Sequence, residues 1–255
     1  MSKSLEGKTA LVTGGSRGIG RAIAQRLAQE GATVALTYNT GKAGAEEAVA
    51  AMEKLGGKAV ALQADLADAA AIPALFDQLD AALIQRHGSR TLDIVVNNAG
   101  SAGFGGMADA TPASWDAMFA VYARAPFFVI QAALARLPEG GRIINLSSGF
   151  ATRPAPVASI YSAAKASINT LTHALALELG PRGITVNAVA PGWTKTDMNA
   201  GVRENADIVK AIEADTALRR FGEPSDIAAV VAFLASGESR WVTGQVIEAS
   251  GGYKL

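Results

Sequence analysis

Tyr161 and Lys165 stand four positions apart in the stretch SIYSAAKASINT (159–170), with Ala163, Ala164 and Ala166 leaving space around them. Four residues make about one helical turn, so a helix here places the phenol and the ammonium on one face, one above the other. A free tyrosine has a pKa of about 10 and burial raises it, whereas a proton donor or acceptor works best near the operating pH. An adjacent ammonium favours the phenolate, and a shift of about three units corresponds to roughly 4 kcal/mol. A lone Y-x-x-x-K pair arises often by chance, as a packed aromatic beside a surface cation. Its meaning depends on what surrounds it.

The elements that position this pair follow from hydrophobic patterning. TALVT (9–13), TVALT (33–37), KAVAL (58–62), LDIVV (92–96), RIINL (142–146), ITVNAV (184–189) and QVIEA (245–249) read as strands. They are nearly continuously apolar, as parallel strands covered on both faces are. Ile19, Ile23 and Leu27 give the first helix one buried stripe, and Gly31 stands where a C-cap glycine belongs. Further helices are expected near 43–55, 68–86, 114–136, 159–179 and 225–236. Such alternation predicts right-handed βαβ units and an α/β fold: one Rossmann-like, doubly wound parallel sheet of about seven strands with helices on both faces. No linker, repeat or low-complexity segment interrupts the 255 residues, so residues 1–255 are expected to form one domain. The stretch 193–223 breaks the rhythm and is expected to rise above the sheet as a substrate loop.

Composition narrows the function classes. Lysine plus arginine (23) balances aspartate plus glutamate (23), which gives no electrostatic reason to expect nucleic acid or an anionic membrane as partner. The absence of cysteine excludes disulfides, thiol catalysis and thiolate metal sites, and two histidines, His87 and His173, are too few for most histidine-based metal sites. His87 is expected at a helix end and His173 in helix packing. The opening MSKSLEGKTALVTGG lacks the features of a signal peptide, and no run reaches the ~18–20 apolar residues that span a bilayer. A cytoplasmic protein with no membrane partner is the expectation.

The turn TGGSRGIG (13–20) lies between the first strand and the first helix. Gly14, Gly18 and Gly20 allow a tight turn and close backbone approach, and the helix N-terminus offers N–H groups and a positive dipole end to a pyrophosphate. An acid at the end of the second strand would favour NAD through the ribose 2′-hydroxyl. That region reads LTYNTGK (36–42) and has no acid, while Arg17 sits within the glycine turn and Lys42 lies nearby. A guanidinium beside a neutral pocket suits a 2′-phosphate, so NADP(H) is expected in preference to NAD(H).

Ser147 and Ser148 end the strand IINLSS at the edge where open α/β sheets bind ligands, and Ser148 precedes Tyr161 by thirteen residues. The glycine turn, NNAG (97–100), this serine, Y-x-x-x-K, PGWTKTDM (191–198) and the ending VTGQVIEASGGY stand together in order. Over almost the entire chain this resembles the short-chain dehydrogenase/reductase family. The resemblance implies that Ser148 hydrogen-bonds a substrate carbonyl, that Tyr161 donates the proton as hydride reaches carbon, and that Lys165 also holds the nicotinamide ribose. It further implies cofactor contacts from Gly14, Ser16, Arg17, Gly18, Ile19, Gly20, Asn39, Asp65, Leu66, Asn97, Ala99, Gly100, Tyr161, Lys165, Pro191, Gly192, Thr194 and Thr196. Asp65 matches an adenine-contacting acid and could equally cap the next helix. The implied reaction interconverts a small-molecule ketone and secondary alcohol, and the implied assembly is a homotetramer.

One position departs from the family pattern. FAVYARAPFF (119–128) carries Tyr122 where the family often has an asparagine that helps seat a water in a proton relay. The departure puts that relay in question, and it is the best support for a second reading, a catalytically impaired NADP(H)-binding regulatory or scaffold protein. Met107, Trp115, Met118 and Phe119 are expected in core or interface rather than in a substrate box. Phe150 and Arg153 follow the serine and would line the pocket, where Arg153 would favour a carboxylate or phosphate on the substrate.

Overall fold

The computed structural model describes residues 3–101 and 105–255. In chain order they form β1 (Thr9–Val12), α1 (Gly18–Gln29), β2 (Thr33–Tyr38), α2 (Lys42–Lys54), β3 (Lys58–Gln63), α3 (Ala71–His87) and β4 (Ile94–Asn97). After these come α4 (Pro112–Phe119), a π-helical turn (Ala120–Arg124), α5 (Ala125–Ala133), β5 (Arg142–Leu146), α6 (Ser159–Leu179) and β6 (Thr185–Pro191). The last elements are α7 (Ala200–Arg203), α8 (Ala206–Ala214), α9 (Pro224–Ala235) and β7 (Val246–Ala249). The strands pair in parallel in the order β3-β2-β1-β4-β5-β6-β7, with the order reversing beside β1. This is the doubly wound sheet that the strand runs predict.

The continuous apolar character of the strands follows from burial on both faces. Ala10 and Val12 of β1 pack with Ile23 and Leu27 of α1 and Val231 of α9, whereas Leu11 between them packs in a second core with Phe76 of α3, Val129 of α5 and Leu175 of α6. Successive side chains of a strand point to opposite faces, so each core takes alternate residues. Gly31 follows α1 with φ +102°, a left-handed conformation that a side chain would strain.

Two expected segments differ. The single helix predicted over 114–136 is broken: α4 gives way to the π-helical turn around Tyr122, and α5 ends at Ala133. Residue 126 is a proline, which has no N–H for the carbonyl of Tyr122 four residues earlier and whose ring would clash with it. A π turn absorbs that conflict. The stretch 193–223 leaves the sheet as expected, but it is largely helical, holding α7 and α8. Its two ends are tied together, Gly222 N donating to the Trp193 carbonyl at 2.8 Å and Lys195 N to the Gly222 carbonyl at 2.9 Å.

Candidate active site

Ser148, Tyr161 and Lys165 converge at the carboxyl edge of β5. Ser148 is buried just beyond the strand, and its side chain is hydrogen-bonded to Tyr161. Lys165 is buried one turn along α6 from Tyr161, and its Nζ donates to the carbonyl of Leu146, the last residue of β5, at 2.5 Å. Burial pushes the Tyr161 phenol above its ordinary value, opposed by the bond from Ser148. Burial also brings the Lys165 ammonium down to about 7. The sequence predicts an ammonium that depresses the phenol, but here desolvation of Tyr161 is the larger influence. The phenol is therefore protonated at neutral pH, the form a proton donor needs.

Polar side chains on the buried face of α6 fix this geometry. Ser147 Oγ donates to Asn169 Oδ1 at 2.6 Å, and Asn145 Nδ2 donates to Thr172 Oγ1 at 3.0 Å. Asn97 Nδ2 donates to Asn145 Oδ1 at 2.9 Å, which links β4, β5 and α6. Tyr161, Lys165, Asn169 and Thr172 recur every three or four residues, the period of one helix face. Sequence reasoning stopped at the first two; the same period extends to Asn169 and Thr172.

The glycine turn is built for a closely approaching ligand. Gly18 has φ +55°, and a Cβ there would lie 3.4 Å from Thr196 Cγ2, so Thr196 stands opposite the turn. A Cβ on Gly20 would lie 2.2 Å from the Gly14 carbonyl oxygen, which excludes any side chain at 20. The first turn of α1 contains no acid and Arg17 makes no side-chain cap, so the N–H groups there are not taken up by a capping side chain. Asn98, which sequence reasoning passed over, braces the turn, its Nδ2 donating to the carbonyls of Thr13 and Gly14 at 2.9 and 3.0 Å. Arg21 does so from the other side, through Nε to the Ser16 carbonyl at 2.9 Å and through Nη2 to the Gly44 carbonyl at 2.8 Å.

The other residues expected at the cofactor lie mostly at or just after the carboxyl ends of β2, β3, β4 and β6. Arg17 and Asn39 are exposed, and a Cβ on Gly41 would lie 3.2 Å from Ser16 Oγ, so the glycine turn lies against the segment after β2, and neither 13–20 nor 36–42 contains an acid. Lys42 forms an exposed pair with Glu46 at 3.8 Å. Ile19 is half-buried against the core beneath the turn. Asp65 is exposed and accepts from Ala67 N at 3.0 Å, fixing its own turn rather than capping α3, while Leu66 packs into the core. Ala99 N donates to Thr13 Oγ1 at 3.0 Å, and Gly100 lies against Tyr122, where a Cβ would meet the ring at 2.7 Å. Pro191 ends β6, Gly192 packs on Ser250, and buried Thr194 donates through Oγ1 to the Gly192 carbonyl at 3.1 Å.

On the substrate side, a cavity of about 200 Å³ opens beside Tyr161, lined by Met118, Val157, Ile160, Asp109 and Ser114 among others. Met118 therefore faces the candidate pocket rather than serving only as core. Met107 is largely exposed, and Trp115 stacks on Phe119 at 4.5 Å. An aromatic series runs from Tyr161 to Phe150, Trp193 and Phe221, with ring centroids 6.4, 6.0 and 6.2 Å apart. Arg153 does not offer a free cation here, because its guanidinium is bonded to Glu248 of β7, which corrects the expectation of an anion anchor. His87 ends α3 as expected, but His173 is exposed on α6, not packed. Among the described residues, no cluster of histidine and acidic side chains could hold a metal ion, and no helix is long and apolar enough to cross a membrane.

The family model described as enoyl-(acyl carrier protein) reductase matches residues 14–254. Versicolorin reductase from Emericella nidulans is 42% identical, covering 97% of this chain and 96% of its own. The structure of the angucycline C-6 ketoreductase LanV with bound NADP superposes with a TM-score of 0.95 at 44% identity, covering 100% of this chain and 98% of LanV. A second LanV structure, with a TM-score of 0.91, holds NADP and rabelomycin. The promiscuous reductase LugOII, which catalyses keto-reduction at C1 during lugdunomycin biosynthesis, also reaches 0.95, at 46% identity over 99% of this chain and 100% of its own. The chain belongs to the short-chain dehydrogenase/reductase family and is an oxidoreductase.

Proposed function

We propose that this chain is an NADPH-dependent reductase of aromatic, polycyclic ketones. The observation that carries the reading is the half-buried Tyr161, hydrogen-bonded to Ser148 at the sheet edge and lining a cavity. Gly14, Gly18, Gly20 and the N-terminus of α1 fit a pyrophosphate, since a Cβ on Gly14 or Gly20 would strike the turn's own surroundings and Gly18 has φ +55°, so only glycines allow this tight turn at a helix start. Ser16, Arg17 and Asn39 would receive the 2′-phosphate beside the stretch 36–42, which contains no acid, while Lys42 nearby is paired with Glu46. Thr194 and Lys165 would hold the nicotinamide end, and Thr196, opposite the glycine turn, would contact the phosphates. NADPH, when bound, supplies the hydride that the carbonyl carbon accepts.

The chain's own residues manage the oxygen. Ser148 Oγ and Tyr161 Oη form two hydrogen bonds to it, fixing the carbonyl and stabilising the negative charge that develops there. Tyr161 then passes its proton to that oxygen, leaving a secondary alcohol. The phenolate so formed lies near the Lys165 ammonium, whose Nζ is 5.9 Å from the Tyr161 ring centroid. For substrate class, the half-buried Phe150 ring beside Tyr161 and the Trp193 ring packed on it, backed by buried Phe221, suit a flat ring system entering next to the cavity. The keto-reductions named for LanV and LugOII support the same class.

The test is NADPH and NADH consumption across a panel of polycyclic aromatic, small aliphatic and anionic ketones. The expected result is turnover with NADPH, with kcat/KM at least about tenfold higher for the aromatic ketones. Arg17→Ala is expected to reduce the NADPH-over-NADH preference by about tenfold, the scale of one charge-assisted contact. Equal use of both cofactors by the wild type would overturn the NADPH assignment, and preference for aliphatic ketones would overturn the substrate class.

A further inference from the structure

We infer that Tyr122 is a positioning residue of the proton-transfer site, its ring holding the Lys165 ammonium in place beside Tyr161. The inference rests on the reading of Tyr161 as acid–base group. Lys165 is only 5% exposed, yet no carboxylate pairs with it among the described residues. What it meets is the Leu146 carbonyl at 2.5 Å, the Tyr122 ring with Nζ 4.4 Å from the centroid, and the Tyr161 ring at 5.9 Å. The face of an aromatic ring carries partial negative charge and attracts a cation, most strongly where water is excluded. The Tyr122 ring thus acts as the nearest counter-charge this ammonium has after the carbonyl.

The ring is held for that purpose on every side. The Tyr122 hydroxyl donates to the Ser101 carbonyl, the ring lies against Gly100, where a Cβ would be 2.7 Å away, and it packs with Met118 and Ala164. It meets Tyr161 in a T-shaped contact with centroids 5.2 Å apart. Burial raises the Tyr122 phenol far above its ordinary value, so it stays neutral and its proton stays on the bond to Ser101. Tyr122 therefore contributes a ring face, not a proton.

Among the described residues, no other titratable side chain reaches this cluster from the elements packed on α6. β6 contains none, and the turn Gly149–Ala151 contains none. From α4 and the π turn, Asp116 and Arg124 line a separate outer cavity with Ala67. Arg182, at the far end of α6, is bonded to the carbonyls of Leu134 and Leu137.

Two variants that keep the shape of the ring separate its charge from its bulk. Tyr122→Phe preserves the electron-rich face, and 3,4,5-trifluorophenylalanine introduced at position 122 keeps the shape while depleting that face. In the protein alone, NMR titration of ε-13C-labelled lysine is expected to give the same Lys165 midpoint in wild type and Tyr122→Phe, and one lower by about one pH unit with the fluorinated ring. In alcohol oxidation, which needs the Tyr161 phenolate, the acid limb of the pH–kcat/KM profile moves up by about the same amount only in the fluorinated protein. Identical midpoints and profiles in all three proteins would overturn the inference, as would an equal shift in Tyr122→Phe, which would assign the effect to the hydroxyl. Tyr161→Phe, measured in parallel, separates the two claims. Loss of turnover there with no effect at 122 removes only the role of Tyr122, whereas full turnover there removes the acid–base reading and this inference with it.

Discussion

Replacing Tyr161 with phenylalanine is expected to leave the fold and cofactor binding intact and to lower ketone turnover by about a thousandfold or more. A positioned general acid contributes typically 10²–10⁴-fold, and here the same hydroxyl also supplies one of two hydrogen bonds to the carbonyl oxygen. The removed atom is a single hydroxyl whose partner is Ser148, and the ring that remains keeps its contacts with Phe150 and Tyr122. Fluorescence titration with NADPH measures binding, and steady-state oxidation measures turnover. Wild-type turnover in this variant would remove Tyr161 from the chemistry.

Lys165→Met is expected to produce two opposite effects, a slower enzyme and a more stable protein. Lys165 titrates at about 7 against an ordinary 10.5 because burial disfavours its charged form. A lysine whose folded value is lowered destabilises the fold fully below pH 7. That penalty shrinks as pH rises from 7 toward 10.5, where the unfolded chain also loses the proton. The shift corresponds to a penalty on the order of 5 kcal/mol at low pH. Methionine has similar length and no charge, so the variant is expected to gain stability at pH 6 and to lose that advantage by about pH 10.5, read by denaturant unfolding. Turnover should fall by ten- to a hundredfold, because the phenolate left after proton transfer loses its neighbouring charge. A variant no more stable at pH 6 would show that the buried ammonium is better accommodated than its surroundings indicate.

The parts of this fold and site that were legible in the sequence are those written in local spacing. β1, β2, β4 and β6 are nearly continuously apolar because both faces are covered, and the glycine turn carries its meaning in its place between β1 and α1. Tyr161 and Lys165 announce themselves by their single-turn separation. What was not legible depends on residues far apart in the chain. Arg153 reads as a free cation until Glu248, 95 positions later, neutralises it. The aromatic wall joins Phe150, Trp193 and Phe221 only once β5, β6 and the loop after β6 are assembled. The break at the π turn was in reach, since Pro126 within an otherwise helical stretch signals it, but the apolar period of 114–136 hid it. His173 shows the converse, a residue on a buried-looking helix that rotates to the outside.

The central claim is hydride transfer to a ketone, and the most direct measurement is the mass of the product alcohol formed from NADPH carrying deuterium at the transferable C4 position. The proposed chemistry predicts one deuterium on the carbinol carbon with the wild-type protein, and product at or near background with Tyr161→Phe. Tight NADPH binding with no labelled alcohol from any aromatic or aliphatic ketone would contradict it.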